Sequence, residues 1–599
     1  MTRTLKLWAE MLRLSWRREP WLVAGAVGCL VVRVGGVAAS AFALRAAVDE
    51  AAQGIVASAV IAALAAAVAY ALLILMQDLT DSLTMTIADR VGRLDIHPRI
   101  HRDLAGIEGI DHLERTEFLD RVSLVRKAGG YLASGAWKAL TTVSGGLNLV
   151  VTMLLLGGIS PWLLLLLVFA AVPIWCDNRG QIAIQRADLA TAEQYRLQQH
   201  LFELGCDPGA GKELRVSGAG RTIIGLQADA WRAAMRGRLT ASMVAALWSF
   251  LGWVVFVGAF VAGIVLAARQ ASRGQGTPGD LVLVVTVAVT LRSSIQSTVE
   301  TTTAMGSARQ YVGPYLWLRD YADRARAGEK GEITPPSTLA SGIALENVTY
   351  TYAGTDRKAI DNISVTLPAG SVVAIVGEYG SGKTTLVKLL EKFYQPDSGR
   401  ITVDSVPIGE IDTVAWRART TAAFQDFGRF HTTVGENIGL GHLPALQDEY
   451  AVRAAMTDAD AADFVDRLPD GLATLLGRQL GGTDLSEGQW QRIALARSSM
   501  RHDPLLMILD EPTASLDALS EHAIFDRYMA RARALAARTG AVTVIVSHRF
   551  STVTGADLIL VLDNGRLVEE GAHADLMRIG GIYAQLYGLQ AAAYQQAER

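Results

Sequence analysis

The chain has 599 residues, with 56 Lys+Arg against 59 Asp+Glu for a net charge of -3, and it is 50% hydrophobic and 19% charged. At roughly 150 residues per domain this length requires several domains, and the apolar excess, gathered before about residue 305, excludes a purely soluble enzyme. Balanced charge excludes a nucleic-acid binder, which carries a basic excess on one face, and the three cysteines Cys29, Cys176 and Cys206 supply neither a disulfide framework nor a metal cluster.

In chain order, residues 1–20 form a basic N-terminal segment, followed by a membrane domain over 21–327. Apolar runs recur at Trp21–Ala43, Ile55–Met76, Leu140–Ile159, Trp162–Trp175, Ala241–Ala268 and Leu281–Leu291, the last continuing to about Ala304. A bilayer needs roughly 20 apolar residues per helix, so six spans are expected, the third and fourth joined by a hairpin turn at Ser160 and Pro161. The first run is too long, and followed by too many others, for a signal peptide. Arg3, Lys6, Arg13, Arg17 and Arg18 before it, and Arg179, Arg186, Lys212, Arg215, Arg221, Arg232, Arg236 and Arg238 between spans four and five, assign both segments to the cytoplasm.

Two connections, Gln77–Lys138 and Asp177–Leu239, keep helical periodicity and predict long helical extensions below the membrane. Their exposed turns, expected near Leu113–Leu119 and Val216–Arg221, are either docking points for the second half of the chain or solvated loops. In span six Arg292, Gln296 and Glu300 share one helix face. Polar groups at membrane depth line a cavity or pair within the bundle, and the same choice applies to Arg33 in span one.

A Pro/Gly/Ser-bearing linker, 328–342, leads to an α/β domain over 343–590. Strands are expected at Ala344–Tyr352 and Ser371–Val376. The second runs into Gly377, Glu378, Tyr379, Gly380, Ser381, Gly382, Lys383, Thr384 and Thr385, and the helical pattern LVKLLEKFY follows. This is a phosphate-binding loop in its strand–loop–helix setting. Its glycines let successive N–H groups and the helix N-terminus face phosphate oxygens, with Lys383 reaching the β/γ-phosphates and Thr384 a ligand for Mg²⁺. A second apolar strand, Leu505–Leu509, delivers Asp510 to a metal and places Glu511 to take a proton from an attacking water. Ser486 caps a third helix start, again suited to an anion.

The ordered set of Tyr352, the glycine loop, Gln425, the Ser486 segment, Asp510 with Glu511, Ser515–Asp517 and His548 resembles the ATP-binding cassette (ABC) transporter family, specifically an exporter-type half-transporter. In that likeness VGEYGSGKTT is the Walker A loop, MILDE the Walker B strand with its catalytic glutamate, and LSEGQ the signature, which brings Ser486, Gly488 and Gln489 to nucleotide. Gln425 is the Q-loop residue, shared between catalysis, nucleotide and metal; Ser515–Asp517 is the D-loop, His548 the switch histidine, and Tyr352 the aromatic that stacks on adenine. The stretches FQDFGRFHTTVGENI and DLSEGQWQRIALAR are similar to bacterial exporters found with ribosomally made peptides.

The resemblance implies a six-span helical membrane domain fused to a P-loop nucleotide-binding domain, in the bacterial plasma membrane, with ATP and Mg²⁺ as cofactors. It also implies a second half-transporter, so that two chains sandwich two ATP molecules and export a peptide, lipid or drug-like substrate. An importer on the same fold and a non-transporting regulatory ATPase are the alternatives. With about 20 residues before span one, no peptidase domain or leader cleavage is expected. One departure stands out: Glu487 occupies a signature position where the family has glycine. Its carboxylate would face the partner's triphosphate, which favours an asymmetric heterodimer, with a homodimer equally open.

Overall fold

The computed structural model describes residues 2–126, 128–273, 276–328, 331–512, 518–547 and 553–597, with side chains for all of these except 2, 159, 208, 288–290, 292–310, 328, 518–523 and 590–597. The chain divides into two compact units, Met1–Asp103 with Asp120–Arg319, and Leu104–Leu119 with Asp320–Arg599.

Among its described residues the first unit is helical, because in lipid each backbone N–H and C=O must be satisfied within its own segment. Helices Pro20–Ala52, Val56–Ala105, Ala128–Gly158, Pro161–Ala190 and Gly220–Ser272 are long and apolar enough to cross a membrane. The expected sixth span is helical over Pro278–Gly328, but its described apolar part is only Pro278–Val287. Among the described residues five spans meet the length and apolarity needed, and the remainder of the expected sixth, with the face carrying Arg292, Gln296 and Glu300, lies outside the described side chains. The hairpin after Ile159 forms as expected: Ser160 is extended and Pro161 opens a short 3-10 turn.

Two helix pairs show how this bundle packs. A Cβ on Gly180 would meet Ala245 Cβ at 2.8 Å, and one on Gly252 would meet Pro173 Cα at 2.9 Å, so helices Leu165–Ala190 and Gly220–Ser272 approach at backbone distance. At the ends of Pro20–Ala52 and Pro278–Gly328, Arg45 pairs with Asp280 at 2.8 Å. There Asp49 also accepts from Gly279 N at 2.7 Å and Thr277 Oγ1 at 3.0 Å.

The first extension runs through a π-turn at Gly92–Ile96 into His97–Ala105. Its turn falls earlier than expected, because Gly106 and Gly109 break the helix before Asp111–Glu114, whereas Thr116–Arg126 is already helical again. The second extension turns at 217–219 and leaves Val216 92% exposed.

The second unit holds β1 (Gly342–Thr351), β2 (Lys358–Pro368), β3 (Val372–Gly377), β4 (Ser398–Val403), β5 (Val406–Pro407), β6 (Thr420–Ala423), β7 (Leu506–Asp510), β8 (Val542–Val546), β9 (Leu558–Asp563) and β10 (Arg566–Gly571). One sheet has the order β2-β1-β4-β5 and is antiparallel; the other has the order β10-β9-β3-β8-β7-β6 and is parallel except at β10. A parallel strand covered on both faces reads as a continuous apolar run. Accordingly Val372, Ala374 and Val376 of β3 enter one core with Met507 and Leu509, while Val373 and Ile375 enter the other with Leu506 and Ile508. Each such aliphatic side chain contributes about 1.5–3 kcal/mol on full burial. The central strands are thereby fixed in register, and β3 and β7, separated only by β8, deliver Gly377 and Asp510 to the same carboxyl edge, where parallel sheets bind ligands.

Candidate functional site

At the end of β3 the backbone takes conformations open to glycine. Gly377 has φ 151° and a Cβ there would stand 2.1 Å from Leu562 O; Gly382, at φ 104°, begins the helix Lys383–Leu390 with Ala359 O only 2.5 Å from a would-be Cβ. The loop between them curls outward. Glu378, Tyr379, Gly380 and Thr384 are exposed, while Ser381 and Thr385 are buried. Lys383 Nζ donates to Gly377 O at 3.0 Å and Glu378 O at 2.8 Å, folding back across the loop. Burial lowers its pKa, against the pull of Glu511 and Asp510.

The helix stops sooner than the sequence pattern LVKLLEKFY predicts. Lys392 sits at φ 56°, and the carbonyls of Glu391 and Lys392 are taken by Arg417 Nε at 3.2 Å and Nη2 at 3.0 Å. A cation at a helix C-terminus satisfies the last carbonyls and the dipole together.

Asp510, ending β7, is 2% exposed. Burial, then the neighbouring Glu511 charge, pushes its carboxyl up to about 6, with a hydrogen bond from Thr384 acting the other way. Its Oδ1 has no hydrogen-bond partner, and neither does the buried Ser381 Oγ. Two orphaned oxygens, one in the phosphate loop and one at the end of β7 on an acid whose ionisation burial penalises, fit a site completed by a hydrated cation and a phosphate anion. Thr384, Asp510 and Gln425 are the residues that would hold Mg²⁺.

Glu511 follows at φ 49°, a strained value for a side-chain-bearing residue, held there by its N–H bonding Val546 O at 3.0 Å. Gln425 Nε2 donates to Glu511 Oε2 at 2.9 Å, joining the Q-loop residue to the expected base. Tyr352 packs edge-on against Tyr350 and Tyr394, with its hydroxyl 2.9 Å from Thr385 Oγ1; this fixes the ring beside the loop.

Ser486 caps the helix Glu487–Ser499 through a capping box. Its N–H donates to Gln489 Oε1 at 2.9 Å, and its hydroxyl accepts from Gln489 N at 3.4 Å. Gly488 lies in the same first turn. The structure thus brings Lys383, Gln425, Asp510 and Glu511 together and forms the capped signature turn; Ser515–Asp517 and His548 lie outside the described residues.

Three contributors were not singled out in the sequence. Asp426, next to Gln425, acts on Asp510, and its place after the Q-loop glutamine was the available signal. Gln491 Nε2 reaches Glu511 O at 3.4 Å, and Arg417 closes the phosphate-loop helix. Nothing in the sequence around either points to these roles. Arg417 also bonds Glu108 through Nη1–Oε2 at 2.8 Å and Nη2–O at 2.7 Å. Ile110 N reaches Phe393 O at 3.2 Å, and Tyr394 donates to Glu114 at 2.5 Å. The turn of the first extension is a docked element, with His112 and Phe118 buried.

Residues 360–514 match a family model described as ABC transporter. Over 363 residues, 61% of its length, the chain is 36% identical to an ATP-dependent lipid A-core flippase of Burkholderia orbicola (strain AU 1054), covering 57% of that protein. It is 38% identical over 265 residues, 44% of its length, to an ATP-dependent lipid A-core flippase of Bordetella avium (strain 197N), covering 43% of it. The chain thus spans about half the length of the curated relatives it matches. A solved structure, that of a bacterial Atm1-family ABC exporter with ATP bound, superposes with a TM-score of 0.75 at 25% identity, over 95% of this chain and 99% of that one. The apolar helices and bacterial relatives make this a multi-pass plasma-membrane protein with its nucleotide domain on the cytoplasmic side. Phosphate loop, paired acids, capped Ser486 turn and helical membrane unit lead to one assignment: residues 360–514 form an ABC transporter domain, in a chain built like an exporter-type half-transporter.

Proposed function

We propose that the chain hydrolyses ATP to drive export of an amphipathic lipid across the plasma membrane, working as a dimer of two such halves. The observation that carries the ATPase reading is the buried, incompletely bonded Asp510 beside Glu511 and Lys383 at the carboxyl edge of the sheet. Lys383 neutralises phosphate charge as it leaves the carbonyls it now bonds. Glu511, oriented by Gln425, accepts the proton of an attacking water, with His548 assigned beside it by the family pattern. Bound Mg²⁺ would add charge neutralisation between the phosphates, held by Thr384, Gln425 and Asp510. Ser486, Gly488 and Gln489 would meet the triphosphate held by the other half, and Tyr352 the adenine.

A lipid is favoured over a peptide or drug by the relatives named lipid A-core flippases. A homodimer is favoured over a heterodimer because the Glu487 carboxylate, the motive for an asymmetric pair, is already paired within its own chain, with Arg429. The test is reconstitution of the chain, purified alone, into vesicles containing fluorescent phospholipid or lipid A-type glycolipid. ATP-dependent movement of lipid between leaflets, abolished by Glu511→Gln, is expected. ATP turnover that no lipid stimulates, with stimulation by a peptide instead, would overturn the substrate class.

A further inference from the structure

We propose that Arg429 and Glu487 form a paired positioning device of the nucleotide site. Arg429 neutralises the carboxylate with which this chain opens its signature helix, and by the same bond it ties the Gln425 segment to that helix. The inference rests on the reading above, in which the Ser486–Gln489 turn faces a triphosphate.

Glu487 is the first residue of the helix Glu487–Ser499. Both its oxygens accept from one nitrogen, Arg429 Nη2, at 2.6 and 2.5 Å. A carboxylate in this turn interacts favourably with the helix dipole, yet it raises the negative potential where a triphosphate would arrive, and like charges at close range repel. A guanidinium keeps its charge at every physiological pH, so Arg429 removes the repulsion while leaving the helix its first-turn acid.

Arg429 does not hang freely from a loop. Its guanidinium lies over the Phe427 ring at 5.8 Å. On either side of it the backbone is clamped by Arg497 of the same helix, which donates to Gly428 O at 3.1 Å and covers the Phe430 ring at 4.5 Å. Four residues upstream, Gln425 reaches Glu511. One short segment therefore touches the hydrolytic residues of its own site at one end and the first turn of the signature helix at the other. The side chains of Arg429 and Glu487 are 48% and 54% exposed, and ion pairs this open contribute little to folding. The pair's effect belongs in nucleotide handling, and the glutamate that departs from the usual signature is matched by its own counter-charge.

The experiment measures ATPase activity of the full-length protein in nanodiscs against ATP concentration for Arg429→Ala, Glu487→Gly and the double variant. Arg429→Ala should raise the KM for ATP roughly tenfold, a size set by one uncompensated charge near the protein surface, with kcat changed less than about twofold. Adding Glu487→Gly should return KM to within about twofold of the wild type, and exchanging the charges, Arg429→Glu with Glu487→Arg, should do the same. Added salt should shrink the Arg429→Ala defect, and melting temperatures should stay level across the set. If Arg429→Ala melts early, Arg429→Gln and Glu487→Gln complete the same cycle. Independent, multiplying effects of the two substitutions, or an unchanged KM in Arg429→Ala beside an active wild type, would overturn the pairing alone. A wild type that neither binds nor hydrolyses ATP would overturn the functional reading and this inference with it.

Discussion

On the proposed function Glu511 and Lys383 divide the chemistry, and single substitutions should separate them. Glu511→Gln keeps the hydrogen bond to Gln425 within reach but removes the base, so ATP binding should persist while turnover falls on the order of 10²–10⁴. Lys383→Ala should weaken nucleotide binding itself, measured by equilibrium titration with a fluorescent ATP analogue. Asp510 supplies a pH signature. Its folded pKa, about 6, lies above the ordinary 3.8, so the stability it contributes is fully present below pH 3.8 and is lost as pH rises through about 6. In the nucleotide-free protein Asp510→Asn should therefore gain on the wild type between pH 5 and 7.5, by at most about 3 kcal/mol. Equal pH profiles of melting temperature would contradict that. The places of these residues in the fold were legible in the sequence because each sits in a short contiguous motif whose spacing is set by a strand end or a loop. Arg417, Gln491 and Arg429 were not, since what defines them is a partner far along the chain, and no local pattern encodes which arginine a fold will bring to which carboxylate.

At the scale of elements, apolar run length determined most of the membrane helices, and the hairpin at Ser160 and Pro161 follows from local turn chemistry. The sixth helix is less legible by this measure, because its described apolar start, Pro278–Val287, is short and the polar residues Arg292, Gln296 and Glu300 interrupt the run that follows. The first extension turned earlier than its periodicity suggested, since Gly106 and Gly109 outweigh a helical pattern on either side. That turn offers a test of coupling. Glu108 joins it to Arg417 and so to the end of the phosphate-loop helix, through hydrogen bonds to a charged group worth about 1.5–3 kcal/mol. Glu108→Gln should leave basal ATPase within about twofold while lowering its stimulation by transported substrate about tenfold. Within the bundle, Gly252→Val would drive methyl groups into Pro173 and Cys176. Overpacking of this kind costs about 1–3 kcal/mol and should appear as a lower melting temperature in detergent.

For the whole molecule, the cysteines give a simple check on the packing. Cys29 and Cys176 are buried and Cys206 is exposed, so a hydrophilic maleimide should modify the native protein once, at Cys206, and Cys206→Ser should abolish the reaction. The division of the chain into Met1–Asp103 with Asp120–Arg319, and Leu104–Leu119 with Asp320–Arg599, has a consequence for biosynthesis. The ribosome releases the Glu108–Glu114 turn early, while its receptor, formed by Phe393, Tyr394 and Arg417, emerges only after every membrane helix has been made. The nucleotide unit is therefore complete only when two segments far apart in synthesis have met. The turn made first waits for a receptor made last, and completing the unit means closing a loop that contains the later membrane helices.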